Sequence, residues 1–294
     1  MNSYPDQKTG ACPVCGESNF SEVLNVADSL YFPRRIVSCA NCGMLFVNPV
    51  PSREDLEKLY NQELGILGRT TWDRKKKEYV RVTALDAAPA APGKTPQESR
   101  ASYRASYLAK LLPPPASLLD AGCKAGDFLL AADRLGYSCR GLEISKQYAS
   151  HASRKTGCDV FSGTLEELAA EDPGARFDII TLWDVIEHLP DPAATLNSMN
   201  SLQETGGLVS VSTPNLRNYR YLAYREKWTG FREGPEHLLF FSPRTLSLLL
   251  RKCGYSPVKV STYQIPPLLL KWLNVFRLGH SLEIVAKKVS APEH

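Results

Sequence analysis

The sequence predicts an α/β protein, with a doubly wound, mostly parallel sheet preceded by a small N-terminal module. Two observations carry this. From Ser117 onward, short apolar runs of strand length alternate with helix-length runs, the pattern of βαβ units. Ahead of them stand two Cys-x-x-Cys-Gly knuckles, Cys12–Cys15 and Cys39–Cys42, with 23 residues between them. The composition agrees. A chain of 294 residues with 43% hydrophobic and 22% charged side chains can bury a core, which excludes a disordered or fibrous protein. The 35 basic and 31 acidic residues leave a net charge of +4, too small at this size to imply nucleic-acid binding by charge alone. No run of about 18 uncharged apolar residues is present, so no membrane span is expected. MNSYPDQKTG lacks the apolar core of a secretion signal, and the expected location is cytoplasmic, where thiols stay reduced.

The chain divides into residues 1–51, a helical connector and Ala/Pro-rich linker over 52–99, and a large domain over 100–294. In the first part, strands are expected at Ile36–Ser38 and Met44–Val47, and Gly16 and Gly43 suit the tight turns after each knuckle. Ser52 caps an expected helix Arg53–Asn61. Residues 69–81 are basic, and 84–99 read as a mobile linker. A helix at Ser102–Leu112 ends at Pro113-Pro114-Pro115. The alternation follows, with expected strands Ser117–Ala121, Cys139–Ile144, Asp159–Phe161, Phe177–Trp183 and Gly207–Ser212. Between them come helices Gly126–Leu135, Lys146–Thr156, Leu165–Ala170 and Pro192–Leu202. Helix Pro243–Lys252, capped by Ser242 and stopped by Gly254, precedes two last strands at Pro257–Tyr263 and Leu282–Val289. Segment 265–278 is apolar apart from Lys271, Asn274 and Arg277, whose spacing leaves a narrow polar stripe on a helix. It packs on its own domain or forms a homo-oligomer contact or a pocket wall.

Two C-x-x-C turns can bring Cys12, Cys15, Cys39 and Cys42 onto one tetrahedral zinc. Four cysteines leave no coordination position for water, so the expected zinc is structural. Farther on, the apolar run Leu118-Leu119 meets Asp120, a turn bearing Gly122 and Gly126, and a helix. Twenty-one residues past Gly122, the next strand ends in Glu143, placed to accept hydrogen bonds from both hydroxyls of a ribose. Strand, glycine turn, helix and acid-ended strand together point to a nucleoside-containing cofactor.

These segments resemble the class I S-adenosylmethionine-dependent methyltransferases, over roughly residues 100–289. LLDAGCKAGDFL looks like the first motif of that family and GLEIS like the second. GTLEEL resembles the adenine-side segment, and FDIITLWDVIEHLPDP the fourth-strand motif. STPN and EHLLFFSPRTLSLLLRKCGY also fit, and CPVCG…CANCGMLFVNPVPS is similar to zinc-ribbon modules of bacterial methyltransferases. The resemblance implies a Rossmann-like sheet and S-adenosylmethionine as cofactor. Asp120 and Gly122 would border its methionine part, with Gly126 shaping the turn. Glu143 would hold the ribose, Ile144 would meet the adenine, and Gly163, Thr164 and Leu165 would follow the adenine edge. Trp183 and Asp184 would line the pocket. Thr164 also reads as a plain helix cap. Lys124 departs from the family's Gly-x-Gly-x-Gly turn, and either points to solvent or pairs with the cofactor's carboxylate.

Transfer to a hydroxyl needs a group that takes the proton, and histidine suits neutral pH. Of five histidines, His188 follows the fourth strand and His237 lies after the fifth, where this family builds its acceptor pocket. Asp184, Glu187 and His188 also resemble the Glu-x-x-Glu-His metal site of ubiquinone-pathway O-methyltransferases, implying Mg²⁺. Asp184 is a shorter arm than Glu. Asn215, Tyr219, Tyr221, Tyr224, Trp228 and Phe231 surround His237 in sequence, as an acceptor pocket for a sugar or aromatic ring or as a packed lid. The expected partner is a small molecule, most simply a sugar or natural-product hydroxyl. Alternatives are N- or C-methylation, an RNA methyltransferase gripping through the zinc ribbon, and a non-catalytic binding module.

Overall fold

The computed structural model describes residues 10–26, 34–51, 69–73, 78–82, 95–231, 236–263 and 276–292. The helix expected at 53–61, the basic run 74–77, the stretch 84–94 and the apolar segment 265–275 lie outside the described residues.

The chain opens with strands β1 (Phe20–Val26), β2 (Arg34–Cys39) and β3 (Leu45–Val47), then a hairpin of β4 (Arg69–Asp73) and β5 (Glu78–Val82). Helix α1 (Pro96–Leu111) leads to β6 (Ser117–Ala121), α2 (Asp127–Asp133), β7 (Ser138–Glu143), α3 (Lys146–Thr156), β8 (Asp159–Ser162) and α4 (Leu165–Glu171). Next come β9 (Ile179–Trp183), α5 (Pro192–Ser201), β10 (Leu208–Pro214) and α6 (Tyr219–Tyr224). The last elements are β11 (Leu239–Phe240), α7 (Pro243–Lys252), β12 (Tyr255–Tyr263) and β13 (Ser281–Lys288). A seven-stranded sheet has the order β12-β13-β10-β9-β6-β7-β8, and a four-stranded sheet the order β1-β2-β3-β11.

The chain forms two compact units, residues 52–168 and residues 1–51 with 169–294. In the first, β6 and β7 pair in parallel, as do β7 and β8. Leu118, Leu119, Leu129 and Ala152 are fully buried there. Helix α1 starts earlier than expected, because Thr95 and Glu98 close a reciprocal capping box at 3.1 and 2.7 Å. The end of the expected linker is therefore helical.

In the second unit, β9 and β10 pair in parallel, while β13 lies antiparallel between β10 and β12. Strand β9 is buried along its whole length, with Thr181 as the single polar side chain among Ile179, Ile180, Leu182 and Trp183. Helix α7 begins at a Ser242–Thr245 capping box with Pro243 in its first turn, and buries Leu246, Leu249 and Leu250. The four-stranded sheet joins distant parts of the sequence. Leu45 pairs with Phe240 and Phe46 with Leu239, so β11 completes the N-terminal module. Ile36, Leu45, Val47, Leu216, Trp228, Phe231 and Phe240 form the core around that junction. This corrects the acceptor-pocket reading of Trp228 and Phe231. They are 2% and 0% exposed and pack edge-on at 5.1 Å, with no face left for a ligand. Arg277 is not helical either: it sits in a turn at φ 56°.

Candidate active site

The two knuckles meet. Sγ of Cys12 is 3.6 Å from Sγ of Cys42, and Sγ of Cys15 is 3.5 Å from Sγ of Cys39. All four sulfurs lie within 4.8 Å of one another, which fits a zinc-ribbon module. Burial pushes the Cys12 thiol up to about 11. At Cys15 burial acts the same way, but hydrogen bonds from the Glu17 backbone and from Cys39 outweigh it and bring the thiol down to about 7. A divalent cation among these sulfurs would stabilise the thiolates that burial disfavours.

The glycine turn after β6 is built around Leu142 and Glu143. Gly122 donates to the Leu142 carbonyl at 2.7 Å and Gly126 to the Cys123 carbonyl at 2.9 Å. Asp120 and Glu143 are 2% and 6% exposed. Each Glu143 oxygen accepts one backbone N–H, Oε2 from Lys124 at 3.0 Å and Oε1 from Ser145 at 2.9 Å. The carboxylate is thus fixed in position, and each oxygen keeps a further lone pair. Lys124 is exposed and sits at φ 49°, the left-handed conformation that glycine would take freely. Ile144 is 59% exposed and Leu165 is buried. Thr164 forms a capping box with Glu167, at 3.2 and 2.8 Å, while Gly163 donates to the Glu143 carbonyl.

At the end of β9, Trp183 is 7% exposed and Asp184 takes φ 57°. Ser212 of β10 donates through Oγ to Asp184 Oδ1 at 2.9 Å. The metal reading grouped Asp184 with Glu187 and His188. The structure instead gathers Glu187, His188 and His237, with ligand-type atoms within 4.8 Å. The imidazole rings of His188 and His237 are 4.9 Å apart, and His188 Nε2 is 3.9 Å from Glu187 Oε1. Glu187 is 1% exposed. Nδ1 of His188 lies 3.0 Å from the Glu236 carbonyl oxygen. A carbonyl only accepts, so Nδ1 carries the proton, and in the neutral ring Nε2 is the basic nitrogen.

The residue after His237 is pinned through both of its backbone groups. Leu238 donates to the Glu187 carbonyl at 2.8 Å, and Val47 of β3 donates to the Leu238 carbonyl at 2.8 Å. This link leaves no local trace, because it joins residues far apart in the chain. Position after the fifth strand was the only hint that His237 reaches His188.

Among solved structures, an S-adenosylmethionine-dependent methyltransferase from Archaeoglobus fulgidus matches with a TM-score of 0.53 at 19% identity, covering 65% of this chain and 94% of that one. The CcbJ methyltransferase of Streptomyces caelestis matches with a TM-score of 0.53 at 16% identity, over 70% of this chain and 94% of that one. These likenesses concern the fold. In sequence, the ubiquinone biosynthesis O-methyltransferase of Xanthomonas campestris pv. campestris is 33% identical over 118 residues, 38% of this chain. The chain spans about half the length of that relative, 49%. The enzyme of the same name from Xanthomonas euvesicatoria pv. vesicatoria is 29% identical over 184 residues, 58% of this chain and 73% of that one. The family model described as a methyltransferase domain matches residues 97–260. That is more than half of the 294 residues, and the chain belongs to the methyltransferase domain family.

Proposed function

We infer that the protein transfers a methyl group from S-adenosylmethionine to a small-molecule acceptor, most simply a hydroxyl of a sugar or natural-product intermediate. The observation that carries the hydroxyl reading is the oriented His188 beside the buried Glu187. The residues fit the cofactor. Glu143, clamped by two backbone amides, keeps lone pairs for the ribose hydroxyls. Asp120, Gly122 and Gly126 border the methionine part, and Ile144, Gly163, Thr164 and Leu165 the adenine. Trp183 and Asp184 keep the roles that the resemblance implies. When bound, S-adenosylmethionine supplies an electrophilic methyl group. The chain's own task is then to hold the acceptor and take its proton. His188 Nε2 accepts that proton, Glu187 stabilises the resulting imidazolium, and His237 sits against the same ring.

Cys12, Cys15, Cys39 and Cys42 hold one structural zinc in a ribbon module over residues 1–51, ahead of a connector over 52–99 and the methyltransferase domain over 100–294. All eight cysteines are free of disulfides, which suits a cytoplasmic location, and no described helix is long and apolar enough to cross a membrane.

A second reading rests on the same three side chains. Glu187, His188 and His237 could hold a divalent cation, since a ligating histidine commonly donates its other ring N–H to a carbonyl, as His188 does. Two imidazoles and one carboxylate suit a transition ion better than the Mg²⁺ expected from the motif, which prefers oxygen donors. Incubation with isotopically labelled S-adenosylmethionine and a panel of nucleotide sugars, phenols and amines, read by mass spectrometry, tests the function. A hydroxyl acceptor heavier by one labelled methylene supports it. Methylation confined to amines or to carbon sinks the hydroxyl reading.

A further inference from the structure

One face of α7 takes no part in the methyl-transfer reading and carries an arginine cluster. Arg244, Ser247 and Arg251 are spaced to share one side of α7, opposite the buried Leu246, Leu249 and Leu250. Two more arginines arrive on separate loops, Arg217 after β10 and Arg277 before β13. With the exposed Phe276, these residues line a cavity of about 320 Å³. Among the described residues, none of the four guanidinium groups forms an ion pair or a hydrogen bond.

The two loop arginines are set in place from beneath. Asn215 is fully buried. Its Oδ1 accepts the Arg217 N–H at 3.0 Å, and its Nδ2 donates to the carbonyls of Arg277 at 3.0 Å and Gly279 at 2.8 Å. Arg277 is held at φ 56°, a conformation that costs a residue with a Cβ and would cost glycine nothing. A merely solvated helix face mixes charges of both signs and does not draw like charges from neighbouring loops. Four cations around one small cavity repel each other until an anion enters. Guanidinium forks match pairs of phosphate oxygens, and an exposed aromatic ring offers a stacking face to a base.

We propose that this cavity binds a nucleoside diphosphate group, with the arginines on the phosphate oxygens and Phe276 against the base. The test is calorimetry on the full, zinc-loaded chain at fixed salt, with inorganic pyrophosphate, a nucleoside diphosphate and the free nucleoside. The nucleoside diphosphate should bind more tightly than pyrophosphate, and the nucleoside should not bind measurably. Arg244→Glu combined with Arg251→Glu should weaken the nucleotide by about 10²-fold or more. The same double variant should leave S-adenosylhomocysteine affinity unchanged, and Phe276→Ala should erase the advantage over pyrophosphate. The proposal is overturned if neither phosphate compound binds, if binding survives the charge reversal, or if pyrophosphate and nucleotide bind equally. An RNA shift that needs these arginines, without nucleotide binding, overturns it in favour of a nucleic-acid face. Loss of S-adenosylhomocysteine binding in the unmodified chain would count against the cofactor reading alone.

Discussion

Gly126 shows how tightly single residues hold the turn after β6. It lies at φ 77°, and a Cβ there would come within 2.8 Å of Thr156 Cγ2 and 3.2 Å of Ala152 Cβ. Gly126→Ala combines left-handed strain with that overlap and should destabilise the protein by about 2–4 kcal/mol, read from urea unfolding. Lys124 carries the strain without the overlap, since its side chain is exposed at φ 49°. Glu143 shapes the same turn through the Lys124 and Ser145 amides. Glu143→Gln keeps most of its shape but removes the charge, and should weaken S-adenosylhomocysteine by about 1.5–3 kcal/mol in calorimetry. Unchanged affinity would remove the ribose role. Tyr255 offers a pH test. Its phenol is fully buried, donates to Gln203 Oε1 at 3.0 Å, and is raised in pKa by burial. A raised folded-state pKa means that stability is intact below the unfolded value near 10 and falls as pH climbs past it. Above pH ~10 the wild type should lose up to about 1.4 kcal/mol per pH unit from this group, a slope that Tyr255→Phe removes.

The elements legible in the sequence were those whose signals are local. Helix α3 runs over Lys146–Thr156 as the alternation predicted, and α7 over Pro243–Lys252 as its cap Ser242 and stop Gly254 predicted. The parallel strands β6 and β9 followed from largely apolar runs that reach Asp120 and Trp183, and β7, ending in Glu143, from its place in the strand–helix alternation. What stayed hidden depends on distant partners. Strand β11 is two residues long and exists because β3 offers it an edge. Likewise, nothing local distinguishes the buried Trp228 and Phe231 from ring-binding aromatics, because their partners Ile36 and Val47 lie in the N-terminal module. That packing has a consequence for the site. Val47 donates to the Leu238 carbonyl, and Leu238 donates to the Glu187 carbonyl, so the cysteine-bearing module holds the backbone next to His237. Cys39→Ser should lose the zinc, with about one zinc per chain found in the wild type. It should also lower kcat while leaving S-adenosylhomocysteine affinity nearly intact. Full zinc retention in Cys39→Ser would sink the metal assignment, and normal kcat after metal loss would sink the support role.

At the scale of the whole molecule, family and sheet fix the kind of reaction more firmly than the acceptor. A methyltransferase domain can serve oxygen, nitrogen or carbon, and the difference lies in how much help the nucleophile needs. An amine is nucleophilic when neutral. An alcohol gains most from losing its proton as the methyl arrives, and His188 has the geometry to take it: a proton fixed on Nδ1, a basic Nε2, and a buried carboxylate 3.9 Å away. If His188 is the base, His188→Ala should lower kcat by about 10²–10⁴-fold with cofactor affinity nearly unchanged. The rate of the wild type should rise with pH to a plateau as the imidazole deprotonates, and the variant should lose that limb. His237→Ala should cost less, because Nε2 of His188 and Glu187 remain. A metal held by Glu187, His188 and His237 makes a different demand. Both histidine variants should then fail alike, and a chelator mild enough to spare the cysteine-bound zinc should abolish activity, with a transition ion restoring it. Near-normal kcat in both variants, together with indifference to chelation, would leave positioning as the whole of the catalysis. The acceptor would then be an amine, which is nucleophilic while neutral and sheds its proton to solvent afterwards, or a carbon whose proton is taken by a group other than these histidines.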